Sequence, residues 1–474
     1  MADALGNSFL VIVLPLYVAS GGVDGSTFGL SKSLVAGLVL ALFGIASSLF
    51  QPLAGRLSDR AGKRRVFVVG GLVVFMLSNL AFVLADTYVL LFILRIVQGT
   101  AAAFTITASI ALVNEVSRMD SRGGNVGVYN SFRLVGFGAG PLMASLIIEA
   151  GPFSVPAGFF GMDAWTVTGF DVTFVLAGLA ALLSVVLVLL IVEDPDETAP
   201  SDRSFNIAVF DKEGRRTLDP IFALGCATLV MAACLALLST LEPQVNERLD
   251  QGPVLFSIEF VALILTLALI QPFVGRLTDQ HGRKMFVVYG LIALIPTTLA
   301  QGFVVEPWQM IAVRMLQGVA AACVFAPALA LGGDLADRGQ SGAQLSVLTV
   351  SFGLGIAAGQ ILAGWAVEYA FYMPFAVGGV LALVGAAIVQ SEVYDPAPPQ
   401  NDKPDASDRA AADGATEASG DVTLGDEADT NDDAVTNDDH AAGDGTSCVG
   451  VEEHRLDNPL NDALGETAGE RSAR

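Results

Sequence analysis

The sequence is poor in charge and in the residues that hold metals. Only 15% of its 474 residues are charged, against roughly 25% in an ordinary soluble domain. Its histidines are His281, His440 and His454, and its four cysteines show no metal-ligand spacing. A zinc or haem centre would need several such ligands together. We therefore expect no metal, no cofactor and no enzymatic activity.

Apolar residues take the place of the missing charges. Hydrophobic residues make up 53% of the chain, and uncharged runs recur at about 20 residues, the length of a helix that crosses a bilayer. We predict an all-α polytopic membrane protein with twelve transmembrane helices. The predicted spans are 4–23, 33–54, 66–85, 87–113, 124–148, 172–192, 220–241, 254–274, 285–305, 308–333, 342–367 and 371–391.

The net charge of −23 is unevenly distributed. Residues 395–474 carry 21 acids against 5 bases, and residues 1–394 carry 27 acids against 20 bases. A nucleic-acid partner is excluded because no basic cluster exists outside short loops. The acid excess and the scarcity of lysine, 5 against 20 arginines, favour a halophilic source, where salt screens self-repulsion. The tail has almost no large apolar residues, and we expect it to be disordered.

The positions of lysine and arginine predict the orientation. Fifteen lie in the loops after the second, fourth, sixth, eighth and tenth spans, and only Lys32 and Arg248 lie in the opposite loops. Since short loops rich in Lys and Arg stay in the cytoplasm, we predict a cell-membrane protein with both termini cytoplasmic. The predicted organisation is a six-helix half at 1–192, a cytoplasmic linker at 193–219, a second six-helix half at 220–394 and an acidic tail at 395–474.

The two halves repeat each other in sequence. GRLSDRAGKR at 55–64 recurs as GRLTDQHGRK at 275–284, and RIVQGTAAA at 95–103 recurs as RMLQGVAAA at 314–322. A ladder of small residues also recurs, Gly136, Gly140 and Ala144 in the first half and Gly355, Gly359 and Ala363 in the second. With six spans in each half, the repeats are parallel and related by an axis along the membrane normal.

The loop GRLSDRAGKR resembles the G-x-L-x-D-R-x-G-R-K signature of the major facilitator superfamily, which also repeats it between the eighth and ninth helices. This resemblance covers residues 1–394 and implies alternating access, with substrate bound near the midplane between the halves. It makes the loops a cytoplasmic gate that latches the halves together. The candidate gate residues are Gly55, Asp59, Arg60, Gly62 and Arg64, and Gly275, Asp279, Gly282 and Arg283. The alternative is that these loops only fix the topology.

The fifth span resembles the antiporter signature of that superfamily. Gly127, Gly136, Gly140 and Pro141 reproduce the spacing G-x8-G-x3-G-P, although Ala144 and Ser145 stand where the signature has two further glycines. A proline kink beside a small-residue face suggests a sealed seam between the halves. Ordinary helix packing is the alternative.

The first and fourth spans add to the resemblance. DALGNSFLVIVLPLY is similar to the first helix of tetracycline and multidrug exporters, with Asp3 and Pro15 in register, and Arg95, Gln98 and Gly99 resemble a signature of proton-coupled members. Those exporters have a longer segment ahead of the aspartate. We therefore expect the natural start to lie upstream of Met1, or the sequence to be truncated.

Charges inside the spans are functional candidates because they are expensive there. The candidates for the proton or substrate pathway are Asp3, Arg95, Arg314 and Glu259. Arginine stays cationic, so only Asp3 and Glu259 can carry a proton. The alternatives are that Glu259 snorkels to the outer surface and that Asp3 is an interfacial acid.

The resemblance implies a monomeric, proton-coupled antiporter that exports a small amphipathic molecule, with sodium as the other possible coupling ion. Two alternatives stay open. One is a symporter that takes up a metabolite on the same fold. The other is a transport-inactive sensor whose acidic tail binds a partner.

Overall fold

The computed structural model describes residues 2–23, 25–27, 29–117, 122–155, 165–194, 209–210, 216–335 and 341–395. Most of the predicted linker and, apart from Asp395, all of the predicted acidic tail lie outside these ranges. The expectation of a disordered tail therefore stays a prediction.

Within these ranges the chain forms thirteen α-helices and one short hairpin. The helices are α1 (Ala2–Ser20), α2 (Lys32–Ala61), α3 (Arg64–Ala81), α4 (Tyr88–Val116), α5 (Arg122–Ala150), α6 (Gly169–Ile191), α7 (Pro220–Thr240), α8 (Glu242–Arg248), α9 (Pro253–His281), α10 (Arg283–Gln301), α11 (Pro307–Asp334), α12 (Ser341–Ala366) and α13 (Met373–Glu392). The antiparallel strands β1 (Phe153–Val155) and β2 (Trp165–Val167) form the hairpin.

The all-α membrane fold is confirmed. Each of the twelve predicted spans coincides with a helix, and eleven of the described helices are long and apolar enough to cross a membrane. The helix at the first predicted span, α1, has a shorter apolar segment, Ala4–Ser20. The sequence did not predict α8 or the hairpin, because a seven-residue helix and three-residue strands are too short to give a hydrophobic pattern.

The helices begin at polar caps that the apolar runs do not reveal. Asp219 accepts hydrogen bonds from the backbone N–H groups of Ile221 and Phe222 ahead of α7, and the Ser31 hydroxyl accepts one from the N–H of Leu34 at the start of α2. Such caps satisfy the donors that a helix start leaves free. These two helices begin within one residue of the predicted starts, whereas α2 and α9 run past their predicted ends, to Ala61 and His281.

The bundle has two ends, which we name by their loops. The signature end carries the α2–α3 and α9–α10 connections, and the far end carries the α1–α2 and α7–α9 connections. One apolar core lies among α1–α6, where the rings of Phe82 and Phe174 stack at 5.4 Å. A second core lies among α7 and α9–α13. A third joins the two sets of helices toward the far end, where Ile12 packs with Leu237 and Phe256.

The seam between the halves is tight toward the far end. A Cβ atom added at Gly37 of α2 would collide with the carbonyl oxygen of Gln360 in α12, and one at Gly364 would collide with that of Ser33. Across the other seam, the Ser257 hydroxyl of α9 donates a 3.0 Å hydrogen bond to the carbonyl oxygen of Pro141 in α5. The structure is therefore closed at its far end.

Candidate functional site

The first signature loop forms an ion cluster around Arg64. Gly62 ends α2 with a φ of +61°, a left-handed conformation that favours glycine. Arg64 then begins α3. Its Nη1 lies 2.5 Å from Asp59 Oδ1, and its Nη2 donates a 2.7 Å hydrogen bond to Glu115 Oε1. The side chain is buried, and Ser58 Oγ accepts a further bond from it at 2.7 Å.

The second loop repeats this cluster with more exposure to solvent. Gly282 has a φ of +89°, and Arg283 begins α10. Its Nη2 lies 2.9 Å from Asp279 Oδ1, while Nη1 pairs with Asp334. The side chains of Asp279 and Asp334 are 62% and 44% exposed, against 28% and 27% for Asp59 and Glu115. Solvent therefore screens the second cluster more strongly.

Acids outside the signature complete both clusters, and the sequence analysis missed them. Glu115 and Asp334 are 219 residues apart, the offset of the helix 4 repeat. The N–H of Arg65 donates to Asp194 Oδ1 at 2.7 Å, and the N–H of Lys284 donates to Asp395 Oδ1 at 2.9 Å. The repeat offset could have revealed Glu115 and Asp334.

The other gate candidates have looser surroundings. Arg60 is exposed. A Cβ at Gly55 would meet Thr107 at an ordinary 3.5 Å, and one at Gly275 would meet nothing within 4 Å. Asp59 pairs within its own half, so a latch from Asp59 to the opposite half stays a prediction.

The small face of α5 packs inside the N-terminal half, which corrects the expectation that it seals the seam. The Ser8 hydroxyl of α1 donates to the carbonyl oxygen of Gly136, and a Cβ at Gly140 would lie 2.8 Å from the carbonyl oxygen of Leu5. Pro141 lies at the seam, as does Phe137, whose ring centre is 5.6 Å from that of Phe260 in α9. Adjacent residues point about 100° apart on a helix, so Gly140 and Pro141 meet different neighbours. Gly127 lies in α5, but its surroundings are outside the described part of the structure.

Arg95 is buried and held within its own half. Its Nη1 donates a 2.8 Å hydrogen bond to Gln98 Oε1, and its Nε donates to the carbonyl oxygen of Val39 in α2 at 3.1 Å. The guanidinium also lies 5.1 Å from the centre of the Phe43 ring. Arg95 thus fastens α4 to α2.

Arg314 repeats this arrangement with one difference. Its Nη1 donates to Gln317 Oε1 at 2.7 Å and to the carbonyl oxygen of Leu235 in α7 at 3.3 Å. Its Nε and Nη2 are buried and have no hydrogen-bond partner among the described residues. Unlike Arg95, Arg314 interacts electrostatically with a carboxylate, that of Glu259.

Glu259 is fully buried in α9 and does not snorkel. Its Oε1 accepts a 3.0 Å hydrogen bond from Gln251 Nε2. With the 220-residue offset of the signature loops, Glu259 occupies the position that Val39 has in the first half. Glu259 and Arg314 thus lie within electrostatic reach of each other in the C-terminal half, without a hydrogen bond between them. The side chain of Asp3, the other acidic candidate, lies outside the described residues.

Comparisons with known proteins identify relatives over most of the chain. Multidrug resistance protein 2 of Bacillus subtilis is 24% identical over 81% of this chain and 90% of its own length. The multidrug resistance efflux pump PmrA homologue of Lactococcus lactis is 25% identical over 66% of this chain and 73% of its own length.

Solved structures show the same fold. A bacterial homologue of the human lysosomal transporter Spinster, in an inward-facing and occupied conformation, aligns with a TM-score of 0.63 over 84% of this chain and 96% of its own, at 14% identity. A point mutant of the peptide transporter POT aligns with a TM-score of 0.64 over 82% of this chain and 91% of its own, at 15% identity.

The model of the Major Facilitator Superfamily matches residues 1–216 and 223–423. The match extends beyond residue 394, where the sequence resemblance was expected to end. With its twelve predicted spans observed as helices and both signature loops in place, this chain is a multi-pass membrane transporter of small molecules and belongs to the Major Facilitator Superfamily.

Proposed function

We propose that this protein exports small amphipathic molecules from the cytoplasm in exchange for protons. The observation that supports export most directly is its similarity, over most of its length, to two multidrug resistance proteins. The signature end would face the cytoplasm, with both termini on that side of the cell membrane, because the basic loops lie at that end.

The closed far end fits one state of an alternating-access cycle. The seam between α2 and α12 and that between α5 and α9 are both in close contact in the far part of the bundle. With the far end outside, this is the state closed to the exterior. Opening it would require α2 to separate from α12 and α5 from α9.

The buried charges divide into anchors and proton carriers. Arg95 and Arg314 fasten helices to each other within the halves, so we assign them a positioning role. Asp3 and Glu259 stay the candidate proton carriers within the spans. The burial of Glu259 and its electrostatic interaction with Arg314 support this role, because a buried carboxylate changes its protonation readily with its surroundings.

Dye transport in inverted membrane vesicles tests the proposal. In these vesicles the lumen corresponds to the exterior. An acidic lumen should therefore drive an amphipathic fluorescent dye inward, while vesicles without the protein should show only passive uptake. Collapsing the proton gradient alone should abolish this accumulation, and collapsing a sodium gradient alone should leave it unchanged.

Each other outcome contradicts a defined part of the proposal. If dye accumulation were lost only when the sodium gradient is collapsed, the coupling ion would be sodium and not the proton. Movement of substrate and protons in the same direction would indicate an uptake symporter. Absence of any gradient-dependent flux, across a panel of dyes, would support a transport-inactive sensor.

A further inference from the structure

Glu242 is a buried acid that no signature contains. It is the first residue of the short helix α8, between α7 and α9, and its side chain is fully buried. Neither carboxylate oxygen has a hydrogen-bond partner among the described residues. An ionised carboxylate without partners is very unfavourable away from water, and such a group usually takes up a proton.

The neighbouring acid, Glu259, is partly compensated, because its Oε1 has a hydrogen-bond partner although its Oε2 has none among the described residues. Glu259 accepts a hydrogen bond from Gln251 and lies in the field of the Arg314 cation. Burial raises the pKa of Glu242 well above its usual value, and the negative charge of Glu259 raises that pKa further. Of two interacting carboxyl groups, the one without compensation holds the proton. Glu242, which has neither a hydrogen bond nor a cation to compensate its charge, is therefore neutral while it is buried.

Other charged groups around α8 do not change this assignment. Glu247 and Arg248, on the same helix, are exposed. From α1, apolar Ile12 and Leu16 pack against this region. Among the described residues, Glu259 of α9 is the charged group that interacts with Glu242 through the interior, and Arg314 of α11 interacts in turn with Glu259.

Helix α8 is also part of the far-end closure. Its Val245 is fully buried in the core that joins the halves. Its Gln244 Nε2 donates a 2.7 Å hydrogen bond to Ser33 Oγ at the start of α2. Separation of these contacts would free the helix that carries Glu242 and admit water to its carboxylate, which links its protonation to the opening of the far end.

From this geometry we propose that Glu242 is a proton-binding site of the far-end gate, which receives a proton from the far-side solution and holds it while the gate is closed. The step forms one O–H bond on a carboxylate oxygen with a proton released by water, and opening reverses it. This inference rests on the proposed function for its role in transport.

The direction of the pH effect follows from linkage. The closed state binds the proton more tightly than the open, hydrated state. Closure is therefore favoured at low pH. It weakens as the pH rises from the ordinary glutamate value, about 4.3, through the raised value of the closed state.

Infrared spectroscopy of the purified protein tests the proton site without any substrate. Wild-type protein at neutral pH should show the carbonyl band of a protonated carboxyl group in a dry environment. Glu242→Gln, which keeps the size of the side chain and removes its acidic proton, should clearly lower the intensity of that band. The matched control Glu247→Gln, on the exposed side of the same helix, should keep it.

Hydrogen–deuterium exchange measures the gate in the same samples. After correction for the intrinsic pH dependence of exchange, the backbone of α8 should exchange several-fold faster as the pH is raised in wild type. In Glu242→Gln it should not respond, because a permanently neutral side chain has no proton to lose. The wild-type measurements need no substitution, so a folding defect in a variant does not affect them.

The outcomes separate this inference from the transport proposal. A wild-type spectrum without the band, or a band that disappears in Glu259→Gln and persists in Glu242→Gln, overturns the assignment to Glu242. Exchange in α8 that follows sodium concentration and ignores pH overturns the proton as its ligand. Failure of dye export with the band and the pH response intact would leave the site standing and remove only the proposed function.

Discussion

At the scale of single residues, the two signature loops have the same contacts but different burial. Arg64 is buried between Asp59 and Glu115, whereas Arg283 pairs with acids that are largely exposed. A hydrogen bond to a charged group contributes roughly 1.5–3 kcal/mol, and an exposed ion pair about 0–1 kcal/mol. We expect Asp59→Asn to lower the melting temperature in detergent clearly and Asp279→Asn to lower it little.

The control for this pair is Asp86→Asn, at an exposed position between α3 and α4, which should leave the melting temperature unchanged. Transport should follow the same order, with Asp59→Asn reduced at least several-fold and Asp279→Asn less. Equal and negligible effects at both aspartates would reduce the loops to topology signals.

The sequence revealed the signature residues because they are contiguous and repeated. Glu115 and Asp334 escaped because each lies on another helix, so that the repeat offset was the sequence signal that could have paired them, and the fold shows that each reaches the arginine. Glu242 escaped for a different reason. Its burial depends on α8, which is too short to be recognised from hydrophobic pattern.

At the scale of elements, glycines on two helices lie at different kinds of interface. Gly140 of α5 packs on α1 within one half, and Gly37 of α2 packs on α12 across the seam. We predict that Gly140→Ala destabilises the N-terminal half, because over-packing costs about 1–3 kcal/mol. Gly37→Ala should instead loosen the far-end closure, because its methyl group can be accommodated when the halves separate.

Two measurements distinguish these effects. Gly140→Ala should lower the melting temperature more than Gly37→Ala, and Gly37→Ala should increase hydrogen–deuterium exchange in α8 more than Gly140→Ala. The matched control is Gly70→Ala in α3, where an added Cβ meets nothing within 4 Å. Unchanged α8 exchange in Gly37→Ala would contradict a seam at this position.

The sequence predicted the ladder of small residues on α5 but not the helix against which this ladder packs. A period of four residues places glycines on one face of a helix. It does not say which helix that face meets. The packing of α5 against α1 in one half, and of α12 against α7 in the other, appears only when the helices are assembled.

At the scale of the whole molecule, the pseudo-symmetry includes the ends of the two halves. The side chain of Asp194, after α6, accepts a hydrogen bond from the start of α3. That of Asp395, after α13, accepts bonds from the N–H groups of Arg283 and Lys284 at the start of α10. The sequence placed the end of the second half at residue 394 from the loss of apolar residues. The structure extends its contacts through Asp395.

This boundary predicts where the acidic tail can be removed. Val393 is fully buried in the core of the second half, and burying such a side chain contributes about 1.5–3 kcal/mol. The Asp395 cap on α10 adds about 1 kcal/mol. A chain ending at residue 398 keeps both residues and should match the full-length protein in melting temperature and dye export. A chain ending at residue 392 loses both and should melt several degrees lower.

A third chain, ending at residue 423 where the family match stops, should behave like the one ending at 398. Better export by the chain ending at 423 than by the one ending at 398 would show that residues 399–423 contribute to transport.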